Sequence, residues 1–274
     1  MQTVVYECAV TGETVSFDGP LYGETLASLR GYKWAYSLGA HSVSGVGLQA
    51  REVTANFKVT SRFELDRARK LFTADMREGK PGTLVIDSRW RQKAFITAHE
   101  PSDITPELMT SQLTIVLLDG VWWREGATVE CAVHSAEGGT WLDLPSDLPF
   151  DLQAPRMSAH VENIMPSSMP FRLRIYGPSN NPRVRIGGND YMLDVLIPSG
   201  GYVTVDSRSR AATLVAANGD TSNVLSSAHR GSGLGGGAYI FEPLAPGVSQ
   251  VEWDGSFGFD VTPIVEEVEP AWSM

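Results

Sequence analysis

One glycine pattern in the sequence has the spacing of a dinucleotide-binding loop. Gly231, Gly233 and Gly236 follow G-x-G-x-x-G in the run RGSGLGGGAY. In dinucleotide-binding folds this loop follows a strand and opens a helix, whose N-terminal N–H groups hold the pyrophosphate. Here no buried-strand pattern precedes the glycines, and AYIFEPL after them is typical of a strand. We therefore interpret the motif as coincidental and predict a flexible hairpin loop.

The cysteines and histidines show no spacing that points to catalysis or metal binding. Two cysteines, Cys8 and Cys131, are too few for a disulfide-stabilised secreted domain. We therefore expect two reduced, mostly buried thiols, with a disulfide or reactive pair as the alternative. The five histidines lie far apart and outside known short motifs, and each is expected to be a surface or packing residue: His41, His99, His134, His160 and His229. A triad of distant residues has no sequence signature. The sequence thus predicts no enzyme, no catalytic residue, no cofactor and no metal site.

A proline-rich stretch near the middle of the chain carries three regularly spaced aspartates. Asp143, Asp147 and Asp151 recur every four residues in DLPSDLPFDLQAP (143–155). Calcium binding is one interpretation, but the prolines exclude a shared helical face and no EF-hand pattern is present. We favour a linker, and we place the domain boundary here.

Composition limits the classes of partner. The formal net charge is −10, which repels rather than attracts a phosphate backbone. A length of 274 residues with 42% hydrophobic content is sufficient for two domains. The N-terminus lacks signal-peptide features and no apolar run is long enough for a membrane span, so we expect synthesis in the cytoplasm and no membrane insertion.

The first half of the chain reads as a β domain with one packed helix. Glu52–Thr60 alternates apolar and polar residues as a half-buried strand does. Ser61 then precedes Glu64 by three residues, a capping box that predicts a helix from about Phe63 to Arg77. We expect this helix to bury four large side chains: Phe63, Leu71, Phe72 and Met76. Further strands are predicted at Thr83–Ile86, Gln92–Thr97 and Gln112–Leu118, the last buried on both faces.

The second half is predicted to be an antiparallel β-sandwich of short strands. The expected strands are Phe171–Tyr176, Arg183–Ile186, Asn189–Val195, Tyr202–Asp206, Ala212–Ala216 and Ala238–Glu242. The pattern of the first two places four arginines on one face: Arg172, Arg174, Arg183 and Arg185. We expect a face neutralised by Asp190 and Asp194, with anion binding as the alternative.

Three segments of the C-terminal third carry recognisable motifs: RIYGPSNNPRVRIGGNDY (174–191), GYVTVDSRSRAATL (201–214) and the segment 241–272. The matching positions are Gly177, Pro178, Asn181, Pro182, Val205, Asp206, Ser207, Leu244, Pro246, Gly247, Trp253, Gly255, Phe257, Asp260, Val261, Thr262, Glu269, Pro270 and Trp272. In type and order they resemble the distal tail protein (Dit) family of long-tailed phages. The first 140 residues match mainly in layout.

The resemblance implies a structural virion protein at the phage tail tip, or baseplate. Residues 1–140, completed by 248–274, would form a ring domain, most simply a hexamer, and residues 141–247 a galectin-like β-sandwich. The implied partners are the tail-tube protein, the tail-tip hub and a receptor-binding protein, with DNA passing through the lumen. An acidic lumen fits this role, because a repelling wall lets DNA slide.

A carbohydrate-binding adhesin is the alternative function. Sugar sites commonly use a tryptophan platform, and residues 145–247 contain no tryptophan. That absence favours a scaffold, although tyrosine can replace tryptophan. A hydrolase of cell-wall polymers would need paired carboxylates in a cleft, and no motif indicates them.

Overall fold

A computed structural model describes residues 3–25, 27–105, 108–133 and 157–269. These residues are mainly β and include one α-helix, as the sequence predicted. They divide into two compact units. The first runs to Arg124 and resumes at Glu266, and the second is Glu125–Val265. The predicted linker at 143–155 lies outside the described residues.

The first unit contains ten strands of the described chain, a helix and a short 3-10 turn at Ala27–Leu29. Its elements are β1 Val4–Glu7, β2 Thr14–Ser16, β3 Leu21–Thr25, β4 Trp34–Leu38, β5 Val43–Leu48, β6 Arg51–Val59, α1 Arg62–Glu78, β7 Gly82–Ile86, β8 Trp90–Ile104, β9 Met109–Leu117 and β10 Trp122–Glu125. Seven of them form an antiparallel sheet in the order β3-β6-β9-β8-β7-β1-β2. β10 pairs with β8 through Trp123 and Arg91.

Alternation along the sheet strands builds the core of this unit. On β6 the predicted inward residues Val53, Ala55, Phe57 and Val59 are buried and their neighbours are more exposed, which confirms the half-buried strand. β9 is central, between β6 and β8, but the prediction of two buried faces is wrong. Leu113, Ile115 and Leu117 are buried, whereas Thr114 and Val116 are partly exposed.

The helix begins and ends where the capping signals indicate. Ser61 Oγ accepts a hydrogen bond from the Glu64 backbone N–H, and Gly79 closes the helix at φ 62°, a left-handed conformation that suits glycine. The predicted buried face is half wrong. Leu71 and Phe72 are buried, together with Leu65, Ala68 and Asp75, whereas Phe63 is 75% exposed and Met76 is also exposed. The side chains that face the sheet lie on the stripe formed by positions 65, 68, 72 and 75, and Phe63 lies off it.

The second unit contains two antiparallel sheets that share one hydrophobic core. Its strands are β11 Val129–Cys131, β12 Met157–Asn163, β13 Phe171–Tyr176, β14 Ser179–Asn180, β15 Arg183–Ile186, β16 Asn189–Met192, β17 Leu196–Ile197, β18 Tyr202–Asp206, β19 Ala211–Val215, β20 Thr221–Asn223, β21 Gly247–Trp253 and β22 Phe259–Glu267. A 3-10 turn spans Leu225–Ser227. The larger sheet runs β11-β22-β13-β18-β19-β20 and the smaller β12-β21-β15-β16, while β14 pairs with β17.

Three expectations for this half of the chain are corrected. The last two strands, β21 and β22, pair with strands of the second unit, so residues 248–265 complete that unit, and the chain rejoins the first unit only from Glu266. The division therefore differs from the predicted boundaries at 140/141 and 247/248. Arg172 and Arg174 lie on the larger sheet and Arg183 and Arg185 on the smaller, so they share no face.

The third correction concerns Ala238–Glu242, which is not a strand. The Asn189 side-chain amide donates to Tyr239 O, and its carbonyl accepts from Tyr239 N–H, in the positions that a neighbouring strand would occupy. The glycine run before it is a series of turns with Gly231, Gly233, Gly235 and Gly237 at positive φ, and no helix follows. The dinucleotide reading is thereby excluded for this loop. Among the described helices, none combines the length and the apolar character needed to cross a membrane.

Candidate assembly surface

An isolated hairpin carries much of the exposed apolar surface of the first unit. β4 and β5 pair with each other, and in the described chain neither pairs with a third strand. The Gly39 N–H donates to Ser42 O at 2.8 Å and closes the turn. The large exposed side chains on this hairpin are Trp34, Tyr36, Leu38, Val43 and Val46, with exposed fractions from 43% to 74%.

Both the side chains and the edges of this hairpin favour association. Single exposed apolar residues are ordinary on protein surfaces, but five large ones on one hairpin are typical of a surface that becomes covered. The outer edges of β4 and β5, which pair with no third strand in the described chain, also present backbone N–H and C=O groups to another chain. We call residues 34–48 the apolar hairpin.

Sequence reasoning missed this hairpin, although its signal was present. Tyr32, Trp34, Tyr36 and Leu38 alternate with polar or small residues, and GAHS (39–42) has turn composition. Such alternation followed by a glycine-containing turn predicts the first strand of a hairpin. An amphipathic strand is expected to bury one face in its own domain, and here the exposed face carries the aromatic residues.

The motif residues near position 180 form a tight crossing of backbones. A Cβ on Gly177 would lie 2.0 Å from Pro198 O, so only glycine fits. Its N–H donates to Gly201 O at 2.9 Å, and Asn181, at φ 50°, donates its N–H to Val195 O at 3.0 Å. Pro178 follows Gly177 in a cis peptide bond, and Pro182 O accepts from the Leu193 N–H.

The other motif residues are spread through the second unit and the following segment. Asp206 accepts from the Ser209 N–H at 2.8 Å in the β18–β19 turn, and Gly247 begins β21 directly after Pro246 at φ 88°. Trp253 and Phe257 are buried against Phe259, at ring-centroid distances of 5.1 and 5.9 Å. Asp260 accepts a hydrogen bond from the Tyr176 hydroxyl.

The structure therefore does not gather the motif residues into one site. They occupy turns, strand ends and the core, as expected of residues that maintain a scaffold. Glu269 is exposed, and Pro270 and Trp272 lie outside the described residues.

Both cysteines are buried and free, which confirms the expectation of reduced thiols. Cys8 Sγ donates to Asp75 Oδ1 at 3.1 Å. Burial, with a smaller contribution from Asp260, raises the pKa of Cys131 to about 11, so its reactive thiolate form is scarce near neutral pH.

The four histidines within the described residues do not converge. His41 and His160 are exposed, and His229 contacts Asp194 at 2.8 Å. Burial lowers the pKa of His99, which favours its neutral form. His134 lies outside the described residues, as do the three aspartates of the linker. Among the residues that are described, no group of three or more potential ligands could hold a metal ion.

The segment 231–237, which we call the glycine loop, borders a cavity of about 280 Å³ in the second unit. Four glycines line it: Gly187, Gly188, Gly235 and Gly237. Its polar groups are largely committed, since Tyr191 donates to Glu242 O and the Glu242 carboxylate accepts from the Gly235 N–H. The predicted neutralisation by Asp190 holds for Arg183, at 2.6 Å.

Comparison with solved structures finds a similar fold in phage hub and baseplate proteins. The phage SPP1 distal tail protein Dit (gp 19.1), described as a paradigm of the hub adsorption apparatus in phages that infect Gram-positive bacteria, superposes with a TM-score of 0.54 at 10% identity, over 97% of this chain and 99% of that one. Chains of the phage P2 baseplate in its activated conformation, with calcium and with strontium, give TM-scores of 0.62 and 0.61, both at 7% identity and over 98% of this chain and 100% of those. No protein-family model matches the sequence, and no curated protein matches it. The resemblance found in the C-terminal third thus extends to the fold of nearly the whole chain.

Proposed function

We propose that this protein is a structural component of a long-tailed phage tail tip, a distal tail protein whose copies form a ring between the tail tube and the host-adsorption apparatus. The fold likeness supports it, because the similarity covers both units and nearly the full length of tail-tip proteins. A scaffold also accounts for motif residues that lie in turns and core. The protein would act in the virion after synthesis in the host cytoplasm.

The observation that carries the proposal is the apolar hairpin. Its exposed aromatic and aliphatic side chains favour association, and in a ring each copy can bury its hairpin against a complementary surface of the next copy. If the hairpin buried about 400 Å² of apolar area, the gain would be roughly 10 kcal/mol before the costs of association. Closure of the ring stabilises the assembly, because every copy is held by two contacts.

Passage of DNA is compatible with the charge of the chain. The formal net charge of −10 gives no general affinity for phosphates, so a ring of several copies would not retain DNA. A six-fold ring is the simplest stoichiometry, as the family resemblance implies. The tail-tube protein, a tail-tip hub and a receptor-binding protein are the proposed partners.

Light scattering and negative-stain imaging test the proposal. The full chain at high concentration, alone and mixed with the tail-tube protein of the same virus, is expected to form rings of uniform size. Tyr36→Ser combined with Leu38→Ser should abolish the rings and leave a folded monomer. Leu234→Ser is the matched control, because Leu234 is 63% exposed but lies in the glycine loop. Wild-type protein that stays monomeric both alone and with the tail-tube protein would contradict the proposal.

A further inference from the structure

The outer surface of α1 carries basic side chains from its first turn to its last. Helical spacing places residues 62, 66, 70, 73 and 77 opposite the buried stripe of this helix, and all five are exposed. Phe63 and Met76 flank this line of residues. We call the following set the basic helix face: Arg62, Phe63, Lys70, Met76 and Arg77. At the rise of an α-helix it extends over about 22 Å, which is long enough to form one side of a contact between proteins.

The positive charges of this face are not balanced by carboxylates within the described chain. Arg62, Lys70 and Arg77 form no ion pair with any of the residues that the structure describes. Asp66 is the carboxylate in the same line of residues, and it lies 3.9 Å from Arg69 at the edge of the face. The face therefore keeps a net positive charge.

Stabilisation of the helix explains only part of this charge pattern. A cation in the last turn interacts favourably with the helix dipole, so Arg77 stabilises α1 by itself. Arg62 is the first residue of α1, where the same dipole disfavours a positive charge. Lys70 lies in the middle of the helix, where the dipole has little effect. A partner with negative charge accounts for all three positions.

Two large apolar side chains on the same face are also exposed. The sequence predicts that Phe63 and Met76 are buried, but their exposed fractions are 75% and 44%. Contacts between proteins are enriched in aromatic residues, methionine and arginine relative to the rest of the surface. The basic helix face has this composition on a single helix, which is independent support for a protein partner.

The charge of the whole chain favours a second copy as the partner. The formal net charge is −10 although this face is positive, so the remaining surface of each copy is more acidic than the total indicates. In the first unit, Glu52, Glu100 and Asp103 are exposed and form no ion pair within the described chain. A nucleic acid is disfavoured, because it would have to approach a chain whose overall charge repels phosphates.

We propose that the basic helix face binds an acidic surface of a second copy of this chain. The inference rests on the proposed ring, in which each copy needs two different contact surfaces and the apolar hairpin supplies one of them. The hairpin contains no carboxylate, so the acidic residues that meet the helix lie outside it. Phe63 and Met76 become buried in this contact, and the basic side chains set its orientation.

Sedimentation velocity of the full chain over a range of protein concentrations tests the proposal. Lys70→Glu combined with Arg77→Glu should weaken self-association about tenfold or more, because it places like charges opposite the acidic surface. Arg89→Glu combined with Arg210→Glu is the matched control, since both arginines are exposed, lie outside the face and give the same net charge. The control should associate as the wild type does. The difference between the two double variants should decrease in about 0.5 M sodium chloride, where charges are screened.

Phe63→Ala provides a second measurement in which the net charge stays the same. It should weaken self-association severalfold and leave the thermal unfolding of the monomer unchanged, because the side chain is exposed in the single chain. If the charge variants do not fold, as judged by circular dichroism, Phe63→Ala decides.

Three results would overturn the inference. The first is equal self-association of the wild type, both double variants and Phe63→Ala; if negative-stain images still show rings, the proposed function stands and this inference alone fails. The second is a wild type that stays monomeric both alone and with the tail-tube protein, which contradicts the ring and this inference together. The third is binding of a short DNA duplex that Lys70→Glu with Arg77→Glu abolishes and the control keeps, which would identify a nucleic-acid surface instead. If the wild type associates only with the tail-tube protein present, the variants are compared in that mixture.

Discussion

At the scale of single residues, the least expected feature is a buried carboxylate in the first unit. Asp75, on the last turns of α1, is fully buried and accepts four hydrogen bonds. The donors are the Tyr6 hydroxyl at 2.6 Å, the Val10 and Ala9 N–H groups at 3.0 and 3.1 Å, and the Cys8 thiol at 3.1 Å. A buried carboxylate is costly without partners. These four hydrogen bonds therefore fix the position of the helix relative to β1 and the residues that follow it.

Removing one donor is expected to destabilise this unit measurably. Tyr6→Phe deletes a hydrogen bond to a carboxylate and should lower the free energy of unfolding by about 1.5 to 3 kcal/mol. Asp75→Asn should cost at least as much, since its NH₂ group would face N–H or O–H donors. Urea denaturation followed by circular dichroism gives both values.

Tyr32→Phe is the control for this pair of variants, because Tyr32 is 51% exposed. It should change the free energy of unfolding by less than about 0.5 kcal/mol. Equal stability of wild type, Tyr6→Phe and Asp75→Asn would show that the carboxylate does not hold the helix.

No sequence pattern predicts the hydrogen bonds that Asp75 accepts. Asp75 follows Leu71 by one helical turn, and an aspartate in a helix is ordinarily solvated. Its four donors come from residues more than 60 positions away along the chain, so the contact exists only once β1 lies beside the helix. The capping residues Ser61 and Gly79 were predictable because their partners are local.

At the scale of elements, the helix provides a direct comparison of predicted and observed packing. Leu71 is buried, whereas Phe63 is 75% exposed. Leu71→Ala should lower the free energy of unfolding by about 2 to 5 kcal/mol, because it leaves a cavity. Phe63→Ala should change it by less than about 0.5 kcal/mol in the isolated protein.

The same urea denaturation measures both variants. A large decrease in the free energy of unfolding for Phe63→Ala would show that Phe63 packs against the sheet, as the sequence predicted. A small loss for both would mean that the helix packs loosely on the sheet.

Helices and strands were predictable wherever the hydrophobic periodicity and the capping or turn residues at the ends indicate the same element. The helix and the strands β6, β13, β15 and β18 follow the predicted limits to within two residues, because each has a clear period and a turn residue at its end. The prediction of a strand at Ala238–Glu242 was wrong. The side chain of Asn189, which is distant along the chain, forms hydrogen bonds with the backbone of Tyr239 in place of a neighbouring strand. The apolar hairpin was missed because its apolar face is exposed within the single chain.

At the scale of the whole molecule, the sequence predicted two mainly β units but not the path of the chain between them. The proline-rich stretch suggested one crossing, and the two C-terminal strands were expected to return to the first unit. Alternation identifies β21 and β22 as strands, but it carries no information on which sheet receives them. The register does: β21 lies between β12 and β15, and β22 between β11 and β13, so each is an interior strand of the second unit.

Truncation after Gly247 should therefore unfold the second unit and spare the first. It removes five buried side chains of the second core: Val251, Trp253, Phe257, Phe259 and Val261. At about 1.5 to 3 kcal/mol each, their burial amounts to roughly 7 to 15 kcal/mol, which equals the whole stability of a typical domain. Limited proteolysis with mass spectrometry should recover a protected fragment ending near Arg124 from the truncated chain. A chain ending after Glu267 keeps β22 and should protect both units. Loss of the N-terminal fragment, with the second unit still protected, would mean that β21 and β22 stabilise the first unit instead.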